Sequence, residues 1–148
     1  MPEPAAEVEV RRPAGGDELV AALALRRAIF CGEQGVSERD EVDGRDDDAV
    51  HLVAVSTARV VGTCRLLVEG ETAKFGRLAV TGTERGRGTG AALLRAAEQA
   101  ARGAGARRIT LHAQAHARGL YARHGYAERG EPFEEAGIAH VTMEKRLA

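Results

Sequence analysis

The residues best suited to chemistry form one short segment, Arg85-Gly86-Arg87-Gly88-Thr89-Gly90. It lies between a predicted strand and a predicted helix, where glycines let backbone N–H groups approach a ligand closely. The start of the helix adds unpaired N–H donors and a partial positive charge, while the two arginines and the threonine add side-chain donors. These features predict a pyrophosphate-binding loop. The alternative is a glycine-rich turn that only caps the helix.

Two common nucleotide-binding motifs explain this segment less well. A Walker P-loop requires the pattern GxxxxGK[ST], and the segment has no lysine. A dinucleotide fingerprint is formally present as Gly86-x-Gly88-x-x-Ala91, but no acidic ribose ligand follows about 20 residues later. The residues found there are Leu111, His112 and Gln114. A dinucleotide-dependent enzyme therefore stays a disfavoured alternative.

Hydrophobic periodicity places the segment within an alternating pattern of strands and helices. Apolar residues recur with a period of two before the segment and with helical spacing after it. Asp17 is the predicted N-cap of the first helix. The predicted elements are a strand at 8–11, a helix from 17 to about 31, three strands within 49–80, a helix that follows residue 90, a strand at 108–112, a helix at 117–124, and strands at 126–129 and 138–145 around a loop at 130–137. This order predicts a mixed α/β fold with helices on both faces of one sheet.

Composition limits the possible classes of function. The chain has 148 residues, of which 44% are hydrophobic and 29% charged, so we expect one globular domain over 1–148. Its formal charge is −1 and only 3% of its residues are aromatic, which argues against nucleic-acid binding. The longest apolar run, Leu19–Leu25, is far shorter than the ~20 residues of a membrane-spanning helix. Because the first residues show no signal-peptide pattern, the expected location is cytoplasmic.

Metal binding is not expected from the sequence. Cys31 and Cys64 form no CxxC motif, and the five histidines form no HExxH motif. The acidic stretch 38–48 fits no EF-hand, because a loop with Gly44 at its sixth position would begin at Arg39 and end at Val50. We interpret this stretch as a solvated loop or, alternatively, as a rim that attracts a cationic ligand.

The glycine-rich segment resembles the acyl-CoA loop of the GNAT N-acetyltransferase superfamily. Its residues Arg85-x-x-Gly88-x-Gly90 match the signature [QR]xxGx[GA], which follows the fourth strand in that family. Downstream, a second family pattern, AxxxYxxxG[FY], is matched by Ala117-x-x-x-Tyr121-x-x-x-Gly125-Tyr126. The order of elements is also that of the family, and three stretches resemble its ElaA-like subgroup: 30–36, 111–114 and 136–140.

The resemblance implies both a fold and a co-substrate. The sheet would be mixed and mostly antiparallel, with six to seven strands, helices on both faces and a splayed central parallel pair, Thr72–Val80 and Arg108–Gln114. Acetyl-CoA would enter that splay, with its pyrophosphate on the segment Arg85–Gly90 and Gln114 facing its pantetheine. Arg123 would reach an adenosine phosphate, or it is a solvated helix residue. Backbone groups at the end of the fourth strand would hold the pantetheine: Leu78, Ala79 and Val80.

Acetyl transfer to an amine requires two proton transfers. An alkylamine with a pKa near 10.4 is almost wholly protonated at pH 7, so a base or desolvation must supply the neutral nitrogen. An acid assists the departing thiolate, and the family's acid position matches Tyr121, which would otherwise be a core tyrosine. For the base, Glu33 and His112 rank equally and His140 ranks lower. Each also has a purely structural interpretation. Glu33 would be a surface carboxylate at a helix end, His112 a hydrogen-bonded core histidine, and His140 a histidine on the face of a strand.

The resemblance thus implies an N-acetyltransferase that transfers the acetyl group directly to an amine acceptor within a ternary complex. A non-catalytic acyl-CoA-binding regulator of the same fold is the main alternative. The sequence leaves the oligomeric state undecided. A homodimer is one alternative, because relatives are often dimers and an exposed edge strand could mediate pairing. The charge pattern agrees with two different substrates: residues 31–50 carry eight acids and two arginines, whereas residues 85–125 carry eight arginines and one acid.

Overall fold

One seven-stranded sheet forms the centre of the computed structural model, which describes residues 7–147. The strands are β1 (Glu9–Arg11), β2 (Val50–Ser56), β3 (Arg59–Glu69), β4 (Thr72–Val80), β5 (Arg108–Gln114), β6 (Ala127–Glu135) and β7 (Ile138–Arg146). The helices are α1 (Gly16–Arg27), α2 (Glu38–Glu41), α3 (Thr89–Gly103) and α4 (Arg118–Arg123). Shorter elements are a π-helical turn at Ala28–Glu33 and 3₁₀ turns at Asp46–Asp48, Gly82–Glu84 and Ala115–Ala117. Within residues 7–147, no helix is long and apolar enough to cross a bilayer.

The sheet is mixed and has the order β1-β2-β3-β4-β5-β7-β6. β4 and β5 are parallel neighbours, and every other neighbouring pair is antiparallel. The parallel pairing begins at Thr72–Arg108 and ends at Phe75–Leu111, beyond which the two strands separate. The sequence-based expectation of a mixed sheet with a splayed central parallel pair is confirmed.

A bulge in β4 lies where the two parallel strands separate. The register between β3 and β4 shifts so that two residues of β4, Arg77 and Leu78, oppose the single residue Cys64. Arg77 has a φ of +54°, in the left-handed region that non-glycine residues seldom adopt. Because a bulge bends its strand and increases the local twist, it directs the end of β4 away from β5.

Helices cover both faces of the sheet. Successive side chains of a strand point to opposite faces, so neighbouring residues of β3 show which helix lies on which face. On β3, Cys64 points toward α3, where its Sγ lies 4.0 Å from the carbonyl oxygen of Leu93. The next residue, Arg65, points to the other face and binds Asp46, which also binds Arg26 of α1. α1 and α3 therefore pack on opposite faces, as the sequence predicts.

The main core lies between α3 and the sheet. Gly62 of β3 allows close packing, since an added Cβ would lie 3.1 Å from Cδ1 of Leu93. The first turn of α3 packs on the end of β4, where an added Cβ at Gly90 would lie 3.8 Å from Cδ2 of Leu78. The start of α3 and the end of β4 thus border the same space. The fully buried residues that α3 contributes are Leu93, Leu94, Ala97 and Ala101.

Two local predictions are wrong. Gly15 is the N-cap of α1 and makes no side-chain cap, so Asp17 lies in the first turn of the helix. The predicted loop at 130–137 is mostly strand, because β6 continues to Glu135 and turns into β7 through only Ala136 and Gly137. Both turn residues have positive φ, at +53° and +76°, which is the geometry of a two-residue hairpin turn. A register shift between Arg129 and Phe133 accommodates the proline within β6.

Candidate active site

A cavity of about 1010 Å³ lies along the gap between β4 and β5. Its lining includes residues from the α3 face, such as Ala91 and Leu120, and from the α1 face, such as Ile29 and Gln34. It therefore borders both faces of the sheet, with the separated strands between them.

Most of the sequence-predicted site residues line this cavity. Arg87 and Thr89 do not: Arg87 extends toward Glu84, 3.8 Å away, and Thr89 is buried under the sheet-facing side of α3. The predicted residues of the acyl-CoA side that line it are Leu78, Ala79, Val80, Arg85, Gly86, Gly88 and Gly90. The others are Glu33, His112, Gln114, Tyr121, Arg123 and His140.

The glycine-rich segment presents its backbone to open space. Gly86 and Gly88 have φ values of +77° and +85°, which L-residues with a Cβ seldom adopt. An added Cβ at either glycine would meet no other residue within 4 Å. Gly88 is the N-cap of α3, so the unpaired N–H groups of the first helical turn follow directly. The segment therefore fits a phosphate group, as helix N-termini commonly do.

Arg85 is held at the edge of this segment by two bonds. Its Nε donates to the carbonyl oxygen of Val80 at 3.0 Å, and its Nη2 donates to Oε1 of Glu33 at 2.8 Å. Both side chains of the ion pair are about half exposed. The candidate phosphate ligand and one candidate base are therefore bound to each other.

The end of β4 is paired on one side only. Ala79 and Val80 pair with β3, whereas the pairing toward β5 has ended at Phe75. Backbone groups on this side thus face the cavity as an unpaired strand edge, and such an edge can accept an extended ligand as an added strand.

Tyr121 is buried on α4, with its ring among other aromatic rings. The ring centroids of Phe75 and Tyr126 lie 6.3 and 6.0 Å away, both in edge-to-face geometry. Burial raises the pKa of Tyr121 above its ordinary value, so the hydroxyl stays protonated at neutral pH. Among residues 7–147, the Tyr121 hydroxyl has no hydrogen-bond partner, whereas Tyr126 donates to Glu98 at 2.7 Å.

Gln114 forms an amide pair with Gln34, the residue that follows the π-helical turn. Each side-chain nitrogen donates to the other side-chain oxygen, at 2.8 and 3.3 Å. The pair connects the α1 face to the separated end of β5. The sequence offers no signal for this contact, because the two residues are 80 positions apart.

The candidate bases differ in their surroundings. His112 Nδ1 lies 2.8 Å from Oε2 of Glu135, and both side chains are about half exposed. His140 is buried, and its Nδ1 lies 2.7 Å from the carbonyl oxygen of Ile138. The ring of Phe133 lies between the two histidines, edge-to-face with His112 at 4.9 Å and stacked on His140 at 5.9 Å.

Both the sequence and the fold have counterparts among known proteins. A family model for the acetyltransferase (GNAT) domain matches residues 30–147. The chain belongs to the GNAT acetyltransferase family.

Solved GNAT structures and curated relatives agree with this assignment. A Lactobacillus plantarum crystal structure superposes with a TM-score of 0.87 at 31% identity, covering 95% of this chain and 99% of that chain. A Pseudomonas aeruginosa acyl-CoA N-acyltransferase superposes with a TM-score of 0.81 at 32% identity and the same coverage of 95% and 99%. Escherichia coli ElaA is 30% identical over 136 residues, 88% of each chain, and its crystal structure gives a TM-score of 0.82. The GNAT fold and the ElaA resemblance are confirmed.

The acidic stretch of this GNAT domain is mostly exposed and part of it lines the cavity, but its acids nearest the sheet bind arginines. Buried Glu41 accepts a hydrogen bond from Nε of buried Arg26 at 2.7 Å. Asp46 accepts from both Arg26 and Arg65, at 2.7 and 3.1 Å, and Asp43 binds Arg65 through both carboxylate oxygens. Arg65 holds the pKa of Asp43 below its ordinary value. Three guanidinium groups therefore neutralise the three acids nearest the sheet, the third being Arg77.

Two residues that the sequence analysis missed lie at the site. Arg77, at the β4 bulge, donates to the carbonyl oxygen of Glu41 at 3.0 Å and so holds α2 beside the cavity. Glu135, at the end of β6, binds His112. Gly137 is only a weak signal of the turn that follows Glu135, because two-residue hairpin turns favour Asn-Gly or Asp-Gly and alanine seldom adopts the positive φ of Ala136. Within the described part of the chain, no three His, Cys, Asp or Glu side chains are grouped to hold a metal ion.

Proposed function

We propose that this protein is an N-acetyltransferase that moves an acetyl group from acetyl-CoA to an amine acceptor within a ternary complex. The observation that supports this most is the cavity along the β4–β5 gap, which borders both faces of the sheet. A thioester held from the α3 face and an amine that enters from the α1 face would meet in that gap. Direct transfer then needs no covalent enzyme intermediate.

The residues on the α3 face suit acetyl-CoA. The open backbone of Gly86 and Gly88 and the first turn of α3 would bind its pyrophosphate, with Arg85 as a charged ligand. The unpaired edge of β4 at Leu78–Val80 would hold its pantetheine by backbone hydrogen bonds. The similar P. aeruginosa protein is described as an acyl-CoA N-acyltransferase, which supports the same class of co-substrate.

Tyr121 is the proposed general acid. When bound, acetyl-CoA supplies a thioester whose carbonyl carbon forms a bond to the acceptor nitrogen as its C–S bond breaks. The protonated Tyr121 hydroxyl has no partner among residues 7–147 to hold its proton, so it is free to give that proton to the departing sulfur. The acceptor nitrogen loses a proton to a base or to water.

A non-catalytic acyl-CoA-binding protein of the same fold is the second candidate. Such a protein would need the loop and the β4 edge, but it would not need an unpaired, protonated tyrosine in the gap. Tyr121 therefore favours catalysis.

Calorimetry with acetyl-CoA, CoA and NAD(P), followed by a thiol-release assay with a panel of amines, tests the proposal. We expect 1:1 binding of acetyl-CoA and amine-dependent thiol release. Tight NAD(P) binding without CoA binding would overturn it. Acetyl-CoA binding without thiol release for any amine would favour the non-catalytic candidate.

A further inference from the structure

His112 and Glu135 are joined across the sheet on the side of the cavity away from α3. His112 lies on β5 and Glu135 at the end of β6, with β7 between the two strands. Both side chains line the cavity, and Nδ1 of His112 lies 2.8 Å from Oε2 of Glu135. Gln114, two residues further along β5, points to the same face and reaches the separated end of the strand. His112 thus stands near the gap where the two substrates would meet.

We propose that His112 is the general base of the reaction and that Glu135 is its positioning residue. The inference rests on the proposed function above. A carboxylate only accepts hydrogen bonds, so the proton of the neutral imidazole lies on Nδ1 and the lone pair lies on Nε2. This tautomer leaves Nε2 available for a proton from the acceptor.

The other two candidate bases are less suitable. The carboxylate of Glu33 is already engaged, because its Oε1 accepts a hydrogen bond from Arg85 at 2.8 Å. His140 is oriented by the neutral carbonyl oxygen of Ile138, which does not offset the charge that a ring acquires with a second proton. The carboxylate of Glu135 does offset that charge on His112.

The surroundings of His112 fix the ring but leave it open to water. Phe133 packs edge-to-face against it at 4.9 Å and separates it from His140 on β7. Lys74 of β4 also lines the cavity, and its Nζ lies 3.8 Å from Oε2 of Glu69. The His112 side chain is 53% exposed, so a proton taken from the substrate can pass on to solvent.

The proton balance of the step is complete without any further reactant. The acceptor, after losing its ammonium proton to solvent, gives one further proton from its nitrogen to Nε2 of His112 as the new C–N bond forms. The departing sulfur takes one proton from Tyr121 as the C–S bond breaks. His112 then releases a proton to water and Tyr121 takes one back, so that an amide and a thiol are the net products.

The test uses Glu135→Gln, His112→Asn, the double variant and Glu134→Gln as the matched control. Glu134 is the neighbouring carboxylate on β6 and points to the opposite face. We expect His112→Asn to lower kcat by roughly 10²–10⁴-fold and Glu135→Gln by at least about tenfold, with the Kd of acetyl-CoA unchanged. The double variant should be no slower than His112→Asn alone, because Glu135 acts through the imidazole. Glu134→Gln should match the unmodified protein.

A second measurement does not depend on turnover. Nitrogen-15 NMR of histidine-labelled protein should show His112 with its proton on Nδ1, and Glu135→Gln should remove that preference. An Nε2–H tautomer in the unmodified protein, or an unchanged kcat in Glu135→Gln, would overturn the proposal, as would additive losses in the double variant. Failure of the unmodified protein to bind acetyl-CoA would instead overturn the proposed function and, with it, the catalytic role of His112. The tautomer would then still report whether Glu135 orients the ring.

Discussion

The carboxylate of Glu33 and the guanidinium of Arg85 are bound to each other at 2.8 Å, between the π-helical turn and the loop that precedes α3. Glu33, a candidate base, and Arg85, a candidate phosphate ligand, therefore form an ion pair with each other. A phosphate that binds Arg85 must share it with Glu33 or displace that carboxylate.

Glu33→Gln should tighten acetyl-CoA binding slightly and leave kcat nearly unchanged. Because both side chains are about half exposed, their pair is worth at most ~1 kcal/mol, which corresponds to about a fivefold change in Kd. Calorimetry and steady-state kinetics measure the two effects. Glu38→Gln, an exposed acid paired with Arg27, is the control and should change neither value. A fall in kcat of about 10²-fold or more would show that Glu33 is the base after all.

Gly90→Ala should stabilise the fold and weaken acetyl-CoA binding. The added Cβ would lie 3.8 Å from Leu78 and 3.9 Å from Leu120, which are ordinary contacts, and alanine favours a helix over glycine by ~0.5–1 kcal/mol. A phosphate that approaches the backbone at Gly90 would meet that Cβ, so we expect Kd to rise by about tenfold or more. Thermal unfolding and calorimetry report the two effects.

Gly103→Ala at the other end of α3 is the matched control for this change. An added Cβ there would meet nothing within 4 Å, and Gly103 does not line the cavity. It should raise Tm with no change in Kd. Equal Kd values for the two variants would argue against a phosphate at the start of α3.

Tyr121→Phe should lower kcat on the order of 10²-fold with little change in stability or in KM for acetyl-CoA. The hydroxyl has no hydrogen-bond partner among residues 7–147, so its removal leaves no protein group unpaired. Steady-state kinetics and urea unfolding measure both quantities.

Tyr126→Phe, on the neighbouring ring, should show the reverse pattern. Its hydroxyl donates to buried Glu98 at 2.7 Å, so the change should cost about 1–3 kcal/mol of stability and leave kcat nearly unchanged. If both variants lost stability and neither lost kcat, Tyr121 would be a core residue and not an acid.

Arg26→Gln should destabilise the protein by about 3–5 kcal/mol, because it removes the buried guanidinium that is hydrogen-bonded to the buried carboxylate of Glu41. The adjacent change Arg27→Gln removes only an exposed contact with Glu38 at 3.7 Å and should cost no more than about 1 kcal/mol. Urea unfolding at neutral pH compares the two variants. Equal losses would contradict the buried ion pair.

Stability should fall as the pH drops below about 4. The carboxylates of Asp43 and Asp46 have pKa values below their ordinary range because Arg65 and Arg26 bind them. Arg11 lowers the pKa of Glu18 to about 2. The stability linked to a lowered pKa is fully present above the unfolded value, near 4, and is lost as the pH falls through the folded value.

Urea unfolding at pH 7, 5, 4 and 3 measures this dependence. The free energy of unfolding should change little from pH 7 to 5 and then decline. Asp43→Asn should start from a lower value at pH 7 and decline less steeply. A variant with the same slope as the unmodified protein would count against the role of Asp43.

The sequence by itself determined the elements and the loop between β4 and α3. Alternating apolar residues, helical spacing and the glycines of 85–90 act over a few neighbouring positions, so local chain geometry is enough to predict them. The two wrong local predictions concern segments whose sequence signal is weak. The N-cap of α1 is a glycine, and a strand with a bulge and a proline continues to a two-residue turn at Ala136-Gly137.

Only the tertiary structure decided which side chains meet at the site. Glu33 and Arg85 are 52 positions apart, and His112 and Glu135 are 23 positions apart, so their contacts depend on helix packing and on the register of three strands. A register slip of one residue would turn each strand side chain to the opposite face. The separation of β4 from β5 likewise follows from the bulge at Arg77. The neutralisation of Glu41, Asp43 and Asp46 follows from arginines on other elements. Charge counted along the chain does not reveal pairing that forms only when distant segments pack together.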